Sequence, residues 1–353
     1  MTTGDHIPML TTTFFPASVP QRPMGHYAHI VLLRETDSYS LFQTDGELNT
    51  ARVHAGITHD ELITRITMFK RKQTTPERLI GRELLRHYGL VSGDSAAEGK
   101  DRKTDDRGVA IDPTGRPICD YNVDFCKQCP DCVSYGFAIG DAGSEKSKVY
   151  SDTAYSLSAF DSSHESFTLN APYEGGTMSR KGEVTSRINE QDHVRPQTLF
   201  PAVITVRDLT APLFLYVLGN VLRARRYGAQ TTRTGTMTNH LLGIVLADGE
   251  IFSNLHFTQH LYDHVAGTPD FDPSQPINVD VALSAARALL PELISADRVA
   301  VRQLLMGEDL ARFVNELGGR TRDEAGMGEL LHAAARDSSA YHAAYIQKKG
   351  RGK

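Results

Sequence analysis

Between Pro201 and Phe257 the hydrophobic period of this chain changes twice, and each change limits what can surround it. Pro201-Ala-Val-Ile-Thr-Val-Arg207 is a β-branched run of the kind that fills a buried strand. From Leu209 to Tyr227 the period lengthens. Leu213, Val217, Leu218, Val221 and Leu222 recur at helical spacing, Thr210 can cap the start, and Pro212 suits the first turn. Gly228 reads as the glycine that ends this helix. The last turn and the loop beyond it carry Arg223, Arg225, Arg226 and Arg233 without an acid among them, interspersed with Gln230, Thr231 and Thr232. Leu241 to Ala247, an Asp248-Gly249 turn and Glu250 to Phe257 read as a hairpin. Strand, helix, basic loop and hairpin in this order suit half of a ferredoxin-like sheet with a phosphate-binding edge.

A chain of 353 residues can bury a sizeable core and divide into more than one lobe. No apolar run approaches the roughly 20 residues that cross a bilayer, and Met1 to Gly25 lacks the basic and apolar regions of a signal peptide. A cytoplasmic protein is expected. The formal net charge of -5 argues weakly against a nucleic-acid partner, but phosphate contacts are made by local patches, not by the total.

Residues 1–25 read as irregular and His26 to Leu33 as the first core strand. Thr58-His-Asp-Glu61 fits a capping box ahead of a helix that carries Leu62, Ile63, Ile66 and Phe69 and ends in Lys70-Arg71-Lys72. This basic run suits a solvated helix end, where the dipole favours cations, and it is also a candidate phosphate contact. A second helix is expected from Thr75-Pro76-Glu77 through Leu84 and Leu85. Residues 92–117 are small and charged, the composition of a surface loop.

All four cysteines fall in one segment, Cys119-x6-Cys126-x2-Cys129-x2-Cys132. Two-residue gaps let thiolates turn about a tetrahedral ion, so a structural zinc site is expected. An iron–sulfur cluster is the rival, because Cys126, Cys129 and Cys132 repeat the first three ligands of a ferredoxin run. That run's fourth cysteine and its following proline are missing downstream, which favours zinc. Whether Cys119 or a histidine such as His164 completes the site stays open.

Gly143-Ser-Glu-Lys146-Ser-Lys148 could bring backbone amides and two ammonium groups to a phosphate, without the pattern of a nucleotide-hydrolysing loop. Tyr155 to Asn170 alternates as a strand. Gly175 to Gly182 reads as the tip of a projecting hairpin bearing Met178, Arg180 and Lys181, with a return arm through Val184 to Arg195. After a linker at Gly267–Pro276, helices are expected over 279–294, 296–317 and 321–346, and then a basic tail, 347–353.

The succession of the cysteine cluster into Tyr135-Gly136, the Gly143–Lys148 segment, the Gly175–Gly182 tip and Arg225-Arg226-Tyr-Gly-Ala-Gln-Thr-Thr-Arg233-Thr-Gly235 resembles the backbone subunit of type I-D CRISPR effector (Cascade) complexes. These form a branch of the Cas seven family within the RAMP superfamily. The resemblance is best from Tyr27 to about Asp263. It implies an α+β fold: an RNA-recognition-motif-like palm (1–91 and 197–266), an inserted zinc-binding finger domain (92–150), a β-hairpin thumb (151–196) and C-terminal helices (267–346). It further implies copies stacked along one guide RNA (crRNA) that pairs with a target DNA strand, alongside other type I-D subunits. On this reading Arg225, Arg226, Gln230, Thr231 and Arg233 line the guide backbone, and Arg223, Thr232, Lys70, Arg71 and Lys72 are further candidate RNA contacts. Lys146 and Lys148 approach from the finger, and Met178, Arg180 and Lys181 sit on the thumb.

The expected role is structural, with no catalytic residue assigned. Type III relatives cut target RNA with an acid after the first strand, the region of Asp37 and Asp45 here. Two other classes compete: a redox protein using the cysteines, for which no dinucleotide-binding fingerprint is present, and a stand-alone single-strand binder. The latter calls for aromatic platforms, and the basic loops hold little aromatic besides Tyr227.

Overall fold

A computed structural model of the chain describes residues 10, 12–43, 47–93, 103–105, 109–139, 143–168, 190–228 and 230–347. After a 3-10 turn at Thr12–Phe14 come β1 (Tyr27–Thr36), β2 (Thr50–His54), β3 (Leu62–Met68) and α1 (Lys70–His87). Next are α2 (Pro130–Tyr135), β4 (Phe137–Ala138), β5 (Ser144–Glu145), β6 (Val149–Ser151) and β7 (Ala154–Tyr155). Then follow α3 (Phe160–Ser163), β8 (His164–Thr168), β9 (Glu190–Val194), β10 (Leu199–Arg207), α4 (Ala211–Arg223) and β11 (Met237–Ala247). The chain continues with α5 (Asn254–Ala266), α6 (Val279–Ala296), β12 (Val301–Leu305), α7 (Gly307–Arg322) and α8 (Glu324–Tyr341), which runs into a π-helical turn at His342–Ile346.

The fold is mixed α+β with antiparallel sheets. β1 is the middle of a five-stranded sheet ordered β12-β11-β1-β10-β6, with Ile30 opposite Ile204 on one side and Ile244 on the other. Successive residues of a strand face opposite ways. Ala28, Ile30 and Leu32 accordingly pack with α4, α7 and α8, and Val31 and Leu33 pack with α5 and α6. Helices therefore cover both faces, which is why the middle of β1, Ile30 to Leu33, is an unbroken apolar run. A third cluster, with Phe42, Ile66, Met68, Phe200, Tyr227 and Met237, lies under the end of the sheet where β1 finishes.

Several local expectations give way to tertiary pairing. Leu62–Met68 is a strand, not a helix, and pairs with β2 from Thr50↔Ile66 to His54↔Leu62. The Thr58 amide, which a capping box would have satisfied locally, donates instead to Asp263 of α5, as does the Ile57 amide, each at 2.8 Å. Lys70 to Lys72 consequently begin a helix. Pro76 lies inside α1 and does not start a second one. α4 stops at Arg223, before Gly228. No hairpin follows β11: Ser253 caps α5, its hydroxyl accepting from the His256 amide at 3.2 Å. β11 pairs instead with β12, from Ile244↔Leu305 to Ala247↔Val301, so the helix expected over 296–317 is a strand followed by α7. Within Tyr155–Asn170 the described part is β7, α3 and β8. The described part of 92–117 is not a plain surface loop. It turns about buried Asp112, which accepts from the amides of Thr114 and Arg116 at 2.9 Å each. Among the described residues no helix is long and apolar enough to cross a membrane.

A fully buried ion pair, Arg34 Nη2 to Glu77 Oε1 at 2.9 Å, joins β1 to α1. Burial raises the Glu77 carboxyl above its ordinary value, and Arg34 opposes that rise. Removing one partner of such a pair leaves an uncompensated buried charge. Arg34→Ala should therefore lower stability by about 3–5 kcal/mol in urea unfolding, with most of it recovered by combining Arg34→Met with Glu77→Leu. A single substitution costing under about 1 kcal/mol would mean that the pair is dispensable.

Candidate nucleic-acid interface and metal centre

Four elements meet at the end of the sheet where β1 finishes: the segment after β1, the start of α1, the base of the β8–β9 hairpin, and the loop from Ala224 to Thr236. Pro76 has no amide to give the Lys72 carbonyl four residues earlier. The Gly228 amide takes that carbonyl instead, at 3.2 Å. Gly228 has φ +98, and a Cβ there would lie 2.2 Å from the Leu41 carbonyl oxygen. Only glycine allows this junction. It joins the arginine loop, α1 and the post-β1 segment.

The sequence-predicted cations fare differently. Lys70 and Arg71 are exposed at the first turn of α1, which has no acidic residue. Cations are unfavourable there in isolation, because the helix start already carries positive potential. Lys72 is buried, and its Nζ donates to the Gln43 carbonyl at 3.3 Å. Arg225 is 56% exposed and pairs with Asp37 Oδ2 at 2.9 Å; Asp37 Oδ1 accepts from Thr238 Oγ1 at 2.8 Å. Arg226 is exposed while its Nη1 donates to the Thr234 carbonyl at 2.5 Å. Thr231, Thr232 and Arg233 are exposed and Gln230 half-buried, in a turn closed by the Arg233 amide on the Gln230 carbonyl at 3.0 Å. Arg223 faces elsewhere: half-buried, it donates to the Thr321 carbonyl at 3.1 Å, and burial lowers its pKa.

A buried network invisible in the sequence fixes the loop's base. Tyr227 donates to Glu77 Oε1 at 3.2 Å, Arg34 lies 4.6 Å from the Tyr227 ring centroid, and Asn239 Nδ2 donates to the Tyr227 hydroxyl at 2.8 Å. Asn239 also reaches the Val221 and Ala224 carbonyls, at 2.7 and 3.1 Å. An isolated tyrosine or asparagine beside a basic loop gives no periodic signal.

The hairpin base runs from His164↔Val194 to Thr168↔Glu190 and is tied to the post-β1 segment through Ser40↔Val194. Met178, Arg180 and Lys181, like Asp45, lie outside the described residues. Lys146 and Lys148 are not brought to this end. The Lys148 carbonyl holds the Arg207 amide at the start of β1, ten residues of strand away, or about 30 Å. Lys146 is exposed there. Lys148 is paired with Glu145 at 3.0 Å and lies 4.4 Å from the Tyr341 ring centroid. Burial lowers its pKa, with Glu145 opposing.

The four cysteines converge, buried, with all sulfurs within 4.8 Å of one another. His164 stands apart, stacked on Phe160 at 4.0 Å. Cys119 Sγ lies 3.8 Å from Cys129 Sγ and 3.6 Å from Cys132 Sγ. A tetrahedron with metal–sulfur bonds of about 2.3 Å has an edge of about 3.8 Å, so the donor set fits one ion. An iron–sulfur cluster interposes iron and sulfide and needs its thiolates farther apart. The local fold aims the sulfurs: the amides of Cys126, Cys129 and Cys132 donate to Cys119, Cys126 and Cys129 Sγ at 3.4, 3.3 and 3.5 Å. Hydrogen bonds from the other three cysteines, helped by Arg82 and opposed by burial, hold the Cys119 thiol well below its ordinary pKa. Arg82 Nη2 reaches Cys119 Sγ at 3.2 Å, while its Nη1 and the Arg78 fork hold buried Asp131 at 2.7–3.0 Å. Two α1 arginines thus orient the centre from outside its ligands.

The fold and its two sites define an α+β protein with a cationic sheet end and a thiolate centre that can bind a metal ion. The family model described as Csc2 CRISPR matches residues 14–331, and the chain belongs to that family. The crystal structure of Thermofilum pendens Csc2 matches with a TM-score of 0.55 at 14% identity, over 94% of this chain and 95% of that one; the two share a fold. Chains of two CRISPR RNA-guided surveillance complexes match more distantly. One, described as pre-nicking, has a TM-score of 0.44 and 11% identity over 77% of this chain and 90% of its own. The other has a TM-score of 0.41 and 11% identity over 78% and 87%. The curated protein sequences give no match.

Purified protein should carry one zinc ion per chain by elemental analysis and show no absorbance band near 400 nm. Cys129→Ser should lose the metal and lower the thermal midpoint by several degrees, because metal binding and folding are linked. A visible band with stoichiometric iron would overturn the assignment.

Proposed function

We propose that this protein is the repeated backbone subunit of a type I-D CRISPR surveillance complex and binds guide RNA through its sugar–phosphate chain without reading its sequence. The observation that carries this reading is the convergence at one sheet end of Lys70, Arg71, Arg225, Arg226 and Arg233, all exposed, from segments far apart in the chain. Buried Lys72 and inward-facing Arg223 then act as supports, and Lys146 meets a different stretch of the assembly. Sequence-independent contacts let one protein hold any guide while base pairing reads the target strand. One heterologous contact between copies, repeated, gives a helical filament whose length follows the RNA.

The sheet order β11-β1-β10-β6, with α1 and α4 connecting its strands, supports an RNA-recognition-motif-like palm. The β8–β9 base supports a thumb bearing Met178, Arg180 and Lys181, and the thiolate centre a zinc finger inserted at 92–150. The 267–346 helices complete the body, ahead of a basic tail. The protein would act in the cytoplasm with guide RNA, target DNA, other copies and other type I-D subunits. Asp37, held by Arg225 and Thr238, is better suited to fixing the arginine loop than to cutting a strand.

Replacing Arg225, Arg226 and Arg233 together by Ala should weaken RNA binding alike for every sequence. It should also shallow the dependence of log affinity on log salt by roughly 0.7 for each phosphate no longer neutralised, as measured by titration at several salt concentrations. Weakening confined to particular sequences would instead mean direct base reading.

A further inference from the structure

The segment after β1 carries an aromatic side chain that phosphate binding leaves unused. Tyr39 is 37% exposed and is held from both sides. Its carbonyl accepts from the Gly235 amide at 2.7 Å, and a Cβ on Gly235 would lie 2.5 Å from that same oxygen. The arginine loop therefore abuts Tyr39 as closely as glycine permits. On the other side Ser40 and Val194 exchange amide bonds at 3.0 and 2.8 Å. The Tyr39 hydroxyl donates to Glu165 Oε2 at 2.9 Å, and Arg195 Nε, 3.3 Å from the same oxygen, offsets its charge.

The ring meets Phe167 at 4.8 Å between centroids and 90° between planes, and Phe167 meets His193 at 5.2 Å and 72°. Whichever ring presents its edge, a perpendicular pair leaves at least one Tyr39 face that Phe167 does not cover. Arg225 is anchored to Asp37, two residues before Tyr39, and Arg226 and Arg233 are exposed in the abutting loop. A fixed, partly open ring beside cations is the combination that holds single strands, the ring taking a base and the cations its phosphates.

We infer that Tyr39, buttressed by Phe167 and His193, is a stacking platform for one nucleobase of single-stranded RNA whose phosphates lie on Arg225, Arg226 and Arg233. This rests on the RNA-binding reading above.

Because the chain has no tryptophan, Tyr39→Trp supplies a lone indole reporter. The probes are labelled oligoadenylate RNA and the same backbone lacking its bases, added to the purified full-length chain. Indole emission should be quenched by oligoadenylate and not by the abasic strand. Tyr39→Ala should weaken oligoadenylate binding about tenfold and leave abasic binding unchanged, and Tyr39→Phe, which keeps the ring, should bind as wild type does. Equal weakening towards both strands would reduce Tyr39 to a support for the loop and overturn the platform. Unquenched emission with undiminished affinity, while wild type binds RNA in a salt-dependent way, would sink the platform and leave the RNA reading intact. Wild type that binds neither strand would end both.

Discussion

The ion pair of Arg34 and Glu77, closed over by Tyr227 and tied to Asn239, is what the cationic end of this molecule hangs from. A charge taken out of water is tolerated only when its partner is in place. Arg34 comes from β1, Glu77 from α1, Tyr227 from the arginine loop and Asn239 from β11, so none can shift without exposing the rest to a desolvation penalty. A surface loop with three arginines would repel itself and wander if left to its own composition. Here its first residues are fastened to the core through Tyr227 and through the Gly228 amide on the carbonyl that Pro76 frees.

Helices on both faces of the central sheet have a functional consequence. An open sheet face could lay bases across its strands, but β1 is buried on both sides. The cations exposed at the sheet end come from α1 and the arginine loop, beside the base of the β8–β9 hairpin. α1 connects this end to the thiolate centre: Lys70 and Arg71 stand at its start, and Arg78 and Arg82 hold Asp131 further along. The four cysteines are packed in the same core cluster as α4 and α8, so an ion held there would tie the 119–132 segment to the body of the fold.

Legibility in the sequence followed how local each cause is. The strand at Leu199–Arg207, the body of α4 and the thiolate set could be read because β-branched runs, helical spacing and two-residue cysteine gaps act over a few positions. Leu62–Met68 could not. Its apolar spacing fits a helix, and it becomes a strand because β2 pairs with it and because Asp263, some two hundred positions later, takes the Thr58 amide that a capping box would have used. The same holds for Val301–Leu305, drawn into the sheet by β11. In the site, the exposure of Arg225, Arg226 and Arg233 matches their basic, acid-free context. The burial of Lys72, the inward turn of Arg223 and the distance of Lys148 depend on contacts that composition does not encode.

The sequence by itself determined that four thiolates would share one centre, that an apolar β-branched run would be a core strand, and that arginines would crowd one loop, because spacing and residue chemistry decide those matters. Only the tertiary structure decided that the start of α1, the segment bearing Tyr39 and the arginine loop form one surface, and that Lys146 and Lys148 belong to another. Which end of a sheet a loop occupies is set by strand pairing and burial between distant segments, and no window of neighbouring residues carries that information.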